Sequence, residues 1–182
     1  QSSNHASIAV TVTPGLADVT QSTVTVSPPS VPADGSSTAS ITVTLKDANG
    51  NALTSSGGTM TFDAPTLGSI GTVTDNQDGT YTATFTAGTT SGSATMQGKL
   101  DGSNLTSAPS LALTVGIADL SQSTVTVSPS SLTADGSSTA SITVVLKDAN
   151  GNALTSSGGT ITFDTPTLGS IGAVTDNQDG TY

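Results

Sequence analysis

Apolar and polar residues alternate one by one along much of this chain. In Ile41-Thr42-Val43-Thr44-Leu45 and in Thr59-Met60-Thr61-Phe62, the apolar positions Ile41, Val43, Leu45, Met60 and Phe62 share one parity, and Ser, Thr and Lys46 take the other. A period of two is the pattern of a strand with one buried face. Between such runs lie turn signals, Ala33-Asp34-Gly35-Ser36-Ser37 and Asp47-Ala48-Asn49-Gly50-Asn51. Asn and Gly tolerate the positive φ that tight turns require. The spacing predicts seven strands near 22–27, 38–46, 58–63, 69–74, 80–86, 93–100 and 109–115. Parity turns inward Val24, Val26, Ile41, Val43, Leu45, Met60, Phe62, Ile70, Val73, Tyr81, Ala83, Phe85, Ala94, Met96, Leu111, Leu113 and Val115. Seven short strands with a turn about every ten residues describe an all-β, immunoglobulin-like sandwich.

The chain also repeats itself. Asp34 aligns with Asp135, Lys46 with Lys147 and Tyr81 with Tyr182, always at an offset of 101 residues. From Ala17 and Ala118 onward 65 positions can be compared, and nine differ. Several swaps are apolar for apolar, as in Val31/Leu132 and Met60/Ile161, whereas Thr44/Val145 predicts an exposed valine. A period near 100 residues is one small domain rather than a solenoid unit. We therefore expect immunoglobulin-like domains in tandem: residues 1–16 as the last strand of a preceding repeat (Ile8 to Val12, similar to Leu111 to Val115), 17–116 as a complete repeat, and 117–182 as a partial repeat lacking its last three strands. Continuation of the chain beyond Tyr182 is the expected source of those strands. The short connector Gly116-Ile117-Ala118-Asp119 predicts that neighbouring repeats stack end to end.

Composition narrows the function classes. Thirteen acids, all Asp, against Lys46, Lys99 and Lys147 give a net charge of −10. Such a chain carries no basic patch for phosphate backbones, so nucleic acid is not an expected partner. Absence of cysteine excludes a disulfide scaffold or a thiolate metal site. No apolar run reaches the roughly 18 residues that span a bilayer, and no leader pattern is present, so an export signal or anchor is expected outside these residues.

Three stretches together resemble the bacterial immunoglobulin-like repeats of the invasin and intimin type (group 1): Ser22-Thr23-Val24-Thr25-Val26-Ser27-Pro28, Ala33-Asp34-Gly35-Ser36-Ser37-Thr38, and Ile41 through Lys46 into the turn Asp47-Ala48-Asn49-Gly50-Asn51. The resemblance covers 17–116 once and 118–182 in part. It implies a structural stalk or spacer segment of a secreted bacterial surface adhesin or fibre, without catalysis. Its implied location is extracellular, at the bacterial cell surface. The implied partners are adjacent repeats of the same chain and like chains in a fibre. Ala52 to Gly58 intervene after the Asn-Gly-Asn turn where family members move directly to the next strand, so loop details do not transfer. The alternative is an immunoglobulin-like binding module that engages a glycan, host protein or like chain through its own surface. A remoter reading is an accessory domain of a carbohydrate-active enzyme or a phage decoration domain. Sugar-binding faces expose aromatics, whereas parity places Phe62, Tyr81 and Phe85 inside, which favours the stalk.

Candidate chemistry is sparse. His5, the one histidine, lies in the terminal stretch and is read as solvated. No base stands ready to activate the many Ser and Thr hydroxyls. Asp75-Asn76-Gln77-Asp78-Gly79-Thr80-Tyr81 looks like a tyrosine corner, but two strands follow it where that motif leaves one. It is read as a turn with Tyr81 packed inward. Lys46 and Lys99 fall on outward parity, against a Lys–Asn isopeptide cross-link, and Asn104-Leu105-Thr106 reads as a turn. Asp47 to Asn51 lacks the spacing and closing Glu of an EF-hand.

One metal expectation remains. With antiparallel strands running up and down, the loops after strands two, four and six share a pole with the linker before the domain. Stacked repeats then carry Asp119, Asp148, Asn150, Asp176 and Asp179 of the second repeat towards Asp34 or Asp63 of the first. Carboxylates that converge repel unless bridged, and oxygen-only ligands suit Ca²⁺. The expectation is a weak interdomain Ca²⁺ site; the competing reading is that turns simply favour Asp and Asn.

Overall fold

The computed structural model describes residues 9–182, so His5 and the start of the expected first strand (at Ile8) lie outside the described residues. In the first repeat, strands β1 (Thr23–Ser27), β3 (Thr38–Thr44), β5 (Ser69–Ile70), β6 (Thr74–Asp75) and β7 (Thr80–Thr86) form one sheet. β3 lies between β1 and β7, pairing antiparallel with both, Val43 opposite Val24 on one side and Tyr81 on the other. Strands β2 (Ser30–Pro32), β8 (Gly92–Thr95) and β11 (Ser110–Thr114) form a second group, and β4 (Met60–Phe62), β9 (Gly98–Leu100) and β10 (Ser103–Asn104) a third. Inward side chains from these layers meet in one core, with Ile41, Val43, Leu45, Phe85, Met96 and Leu111 fully buried. This is an all-β, immunoglobulin-like sandwich.

Three details depart from the strand pattern expected above. β2 is an added strand; it pairs in parallel with β11, Val31 opposite Leu113. The run expected at 93–100 breaks at Met96 and Gln97. There the chain leaves β11 for β4, and the Gln97 side-chain amide secures the break by donating to the carbonyls of Gly98 and Leu105, at 3.0 and 2.9 Å. The run expected at 69–74 likewise splits into β5 and β6. Leu53, Leu100 and Leu105 add to the core from outside the predicted set. Val26, Phe62, Ile70 and Val73 sit half-buried at its margin.

Tyr81 packs inward as expected. Its hydroxyl donates to the Gly58 carbonyl (2.7 Å) and accepts from the Gly57 amide (3.1 Å). Lys99, half-buried, pairs with Asp63 at 2.6 Å. The segment Ser103-Asn104 is a short strand paired with β9 rather than a plain turn.

The second repeat reproduces the first through its early strands. β12 (Thr124–Ser128) and β13 (Ser141–Val145) pair in the register of β1 and β3. Tyr182 exchanges two backbone hydrogen bonds with Val144, at 2.9 and 3.0 Å. Val145 is half-buried rather than exposed, because Thr181 bridges to it. A small cluster of Val144, Leu146, Leu154 and Tyr182 is buried. Elsewhere the face is open: Val125 is 59% exposed where its equivalent Val24 is 4% exposed. Residues 9–12, the described part of the expected first strand, pair with nothing among the described residues.

Candidate functional site: the junction between repeats

The turn Asp-Ala-Asn-Gly-Asn occurs at residues 47–51 and 148–152, and its chemistry is local. In the second copy the Asp148 amide donates to the Asn152 carbonyl and the Gly151 amide to the Asp148 carbonyl, both at 2.9 Å. Gly151 holds φ at +83°, which only glycine and a few polar residues accept readily. Asp148 is 2% exposed, yet its carboxylate is fully engaged. Oδ1 accepts from the amides of Asn150 (3.0 Å) and Asn152 (2.9 Å), and the Asn152 side-chain amide reaches both oxygens at 3.1 and 3.0 Å. Oδ2 also accepts from the Gly116 amide at 3.0 Å, tying the connector to the loop. Burial raises the Asp148 pKa, but the hydrogen bonds from Gly116, Asn152 and Asn150 outweigh it and hold the group below its ordinary value.

From this loop two side chains cross to the first repeat. Asn150 Nδ2 donates to the Ala33 carbonyl at 3.0 Å. Asn152 Nδ2 donates to the Thr89 carbonyl, and its Oδ1 accepts from the Ser91 amide, both at 2.9 Å. The receiving loops are held to each other, with Gly35 donating to the Gly88 carbonyl (3.2 Å) and Ala87 to the Ser37 carbonyl (2.8 Å). Beside the crossing lies a cleft of about 650 Å³, with Ser91, Gly92 and Leu113 on one wall and Leu154 to Gly158 on the other. The short connector therefore does stack the repeats, through amide-to-backbone bonds.

The carboxylates named for calcium hydrogen-bond to nearby amides and hydroxyls. Asp34 accepts from the amides of Ser36 (2.8 Å) and Ser37 (2.6 Å), and Asp119 from the amide and hydroxyl of Ser121 (2.7 and 2.6 Å). Asp176 accepts from the Gln178 amide (2.8 Å) and the Ser157 hydroxyl, and Asp179 from the Thr181 amide (2.9 Å). Each accepts from its own turn, Asp176 also from the loop at Ser157, and among the described residues no group of three or more His, Cys, Asp or Glu could hold a metal ion. Only Asn150 of the expected set crosses the junction, to Ala33 beside Asp34. Sequence reading missed Asn152, whose signal was the second Asn flanking the glycine. Its partners at Thr89 and Ser91 are backbone atoms and carry no residue signature.

Comparison with known proteins agrees with this architecture. The family model for invasin domain 3 matches twice, over residues 18–116 and 119–182. Among solved structures, the chain is similar to InvD of Yersinia pseudotuberculosis, with 37% identity and a TM-score of 0.69 over 91% of this chain and 48% of that one. It is similar to the Escherichia coli adhesin FdeC, at 31% identity and a TM-score of 0.68 over 94% of this chain and 55% of that one. It also matches invasin, a bacterial integrin-binding protein, at 36% identity and a TM-score of 0.62, over 76% of this chain and 28% of that one. The chain spans little more than half of these relatives at most. Two matches in register with the 101-residue repeat place this chain in the invasin domain 3 family.

Proposed function

We propose that these two repeats are a stalk segment of an extracellular bacterial surface adhesin, spacing a binding domain from the cell and carrying no catalysis. The observation that carries this reading is the junction. Three hydrogen bonds from Asn150 and Asn152 to the backbone of the first repeat fix the direction in which one repeat leaves the next. A spacer needs that property, and a free-standing binding module does not. The aromatic residues support it: Tyr81 and Phe85 are buried and Phe62 half-buried, so the first repeat offers no aromatic platform for a sugar. Likeness to invasin and FdeC supports the adhesin context.

The test is replacement. In the full-length protein displayed on bacteria, residues 17–182 are exchanged for two unrelated immunoglobulin-like repeats of similar length. Adhesion is expected to persist after exchange and to fall when the segment is deleted. Loss of adhesion on exchange, with display unchanged, would assign binding to these repeats themselves.

A further inference from the structure

The turn that crosses the junction also holds a step of the chain that can attack itself. Of the eight asparagines, only Asn49 and Asn150 precede glycine. In such a pair the glycine nitrogen can close a five-membered ring on the asparagine side-chain amide, because no Cβ screens that nitrogen. Around Gly151 the space is open: a Cβ there would meet no atom within 4 Å. Asn150 is itself exposed, so water reaches the ring once it forms.

Two contacts hold the reaction back in the folded chain. The Gly151 amide donates to the Asp148 carbonyl at 2.9 Å, which occupies the attacking nitrogen. Asn150 Nδ2 donates to the Ala33 carbonyl at 3.0 Å, which fixes the group that must turn towards it. A carbonyl only accepts, so the atom facing Ala33 is the nitrogen. The first contact is shared with the earlier turn, where the Gly50 amide donates to the Asp47 carbonyl at 2.9 Å, and φ is +82° at Gly50 against +83° at Gly151. The second is peculiar to Asn150: among the described residues, no hydrogen bond of the Asn49 side chain leaves its own loop. One chain thus holds the same turn with and without the clasp.

We propose that Asn150 is a self-modification site, and that its conversion to aspartate or isoaspartate loosens the junction. The Gly151 nitrogen bonds to Asn150 Cγ as the Cγ–Nδ2 bond breaks, and Nδ2 leaves as ammonia with the proton the glycine amide gives up. Water then adds to either ring carbonyl. Breaking the new Cγ–N bond gives aspartate; breaking the original peptide bond gives isoaspartate, with the chain running through the side chain. In the aspartate product a carboxylate oxygen stands where Nδ2 stood, so acceptor faces acceptor at Ala33 and the crossing bond is lost. The new charge also lies in the same turn as Asp148 and opposite the loop of Asp34, where like charges repel. Isoaspartate instead lengthens the turn by a methylene. Ammonia departs, so the change runs one way.

The inference uses only the junction geometry, and it stands whether these repeats space a binding domain or bind by themselves. The 182-residue chain is aged in warm, mildly alkaline buffer, and peptide mass mapping follows conversion at positions 49 and 150. Hydroxylamine, which cleaves the chain at the ring, marks the intermediate. Asn150 is expected to convert more slowly than Asn49 by roughly fivefold, the kinetic worth of one ordinary hydrogen bond. Asn152→Ala, which removes the other crossing bonds, is expected to raise the Asn150 rate towards that of Asn49 and to leave Asn49 unchanged. Residual dipolar couplings are expected to show Asn150→Asp loosening the repeats more than Asn150→Ala, and Asn49→Asp leaving them aligned. No conversion at position 150, in the Asn152→Ala chain as well, overturns the site. A rate at 150 equal to or above that at 49 in the unsubstituted chain overturns the restraint by Ala33. Couplings in Asn150→Asp that match those of the unsubstituted chain overturn the loosening.

Discussion

Asn152 and Thr89, 63 residues apart in sequence, share a 2.9 Å hydrogen bond across the boundary between repeats. The same side-chain amide is pinned from behind by Asp148, so it reaches the boundary already oriented. Ordering the side chain within its own loop removes much of the entropy that a crossing bond otherwise costs. Asn152→Ala is expected to release the orientation of the repeats while leaving the first repeat's unfolding free energy within about 0.5 kcal/mol of its original value. Residual dipolar couplings of the two repeats check it; Asn150→Ala, which removes one crossing bond instead of two, is expected to loosen them less.

Acid should loosen the first repeat through Asp47. The Asn51 side-chain amide, then the Gly15 and Asn51 backbone amides, depress its pKa to about 2. A carboxylate with a folded pKa below its unfolded value near 3.9 stabilises the fold above that value. The contribution is lost as the pH falls through the folded pKa. Urea midpoints of the 182-residue chain are expected to be level above about pH 5 and to fall between about pH 4 and pH 2. Asp47→Asn is expected to flatten part of that fall.

Calcium is expected to leave the junction unchanged. The carboxylates there spend their oxygens on turn amides and hydroxyls, and asparagine amides do the bridging. Melting temperatures in millimolar Ca²⁺ and in chelator should coincide, as should those of Asp179→Ala. A rise in melting temperature that follows saturation would show that ligand binds the native state and would support the bridging-metal expectation.

The buried hydroxyl of Tyr81 serves the loop before β4, bonding Gly57 and Gly58. Tyr81→Phe is expected to cost about 1 kcal/mol, the net worth of such a bond. Gly57→Ala should cost more, roughly 1–3 kcal/mol for overpacking, because a Cβ there would stand 2.6 Å from Leu45 Cδ1 and 2.7 Å from Leu53 Cδ2. Chemical denaturation of the first repeat measures both.

Exposure of Val125 and Val127 on β12 sets a difference in protection between the repeats. In a chain ending at Tyr182, amides of β12 and β13 are expected to exchange well before those of β1 and β3, since local opening is easiest where few apolar contacts must break. Equal protection in a monomer would show that the second repeat closes its face by other means.

In the first repeat the core was largely legible where strand alternation ran long, though Val115, expected inward, packs against the second repeat's cluster instead. Ile41, Val43, Leu45, Tyr81, Ala83 and Phe85 lie where parity put them. β2 was not legible, because Ser30-Val31-Pro32 is too short to show a period and a proline argues against a strand. Its edge position explains the tolerance: a strand with one neighbour need not donate from every residue. Leu53 and Leu105 enter the core from loops, where no periodicity points inward. At the junction, the turn residues could be read but their partners could not, since a carbonyl at Thr89 looks like any other in sequence.

The parallel pairing of β2 with β11 has a mechanical consequence. The chain enters the first repeat just ahead of β1 and β2, and leaves it directly after β11. Tension applied along the chain therefore pulls these two strands in opposite directions along their length. Bonds such as Ala33 to the Thr114 carbonyl (3.0 Å) and Ala112 to the Pro29 carbonyl (3.1 Å) lie across that direction and are loaded together. A ladder sheared in this way yields only when its bonds fail as a group, whereas one peeled from an end opens rung by rung. Under the stalk function proposed above, a pull along the chain would meet that resistance before the sandwich core opens.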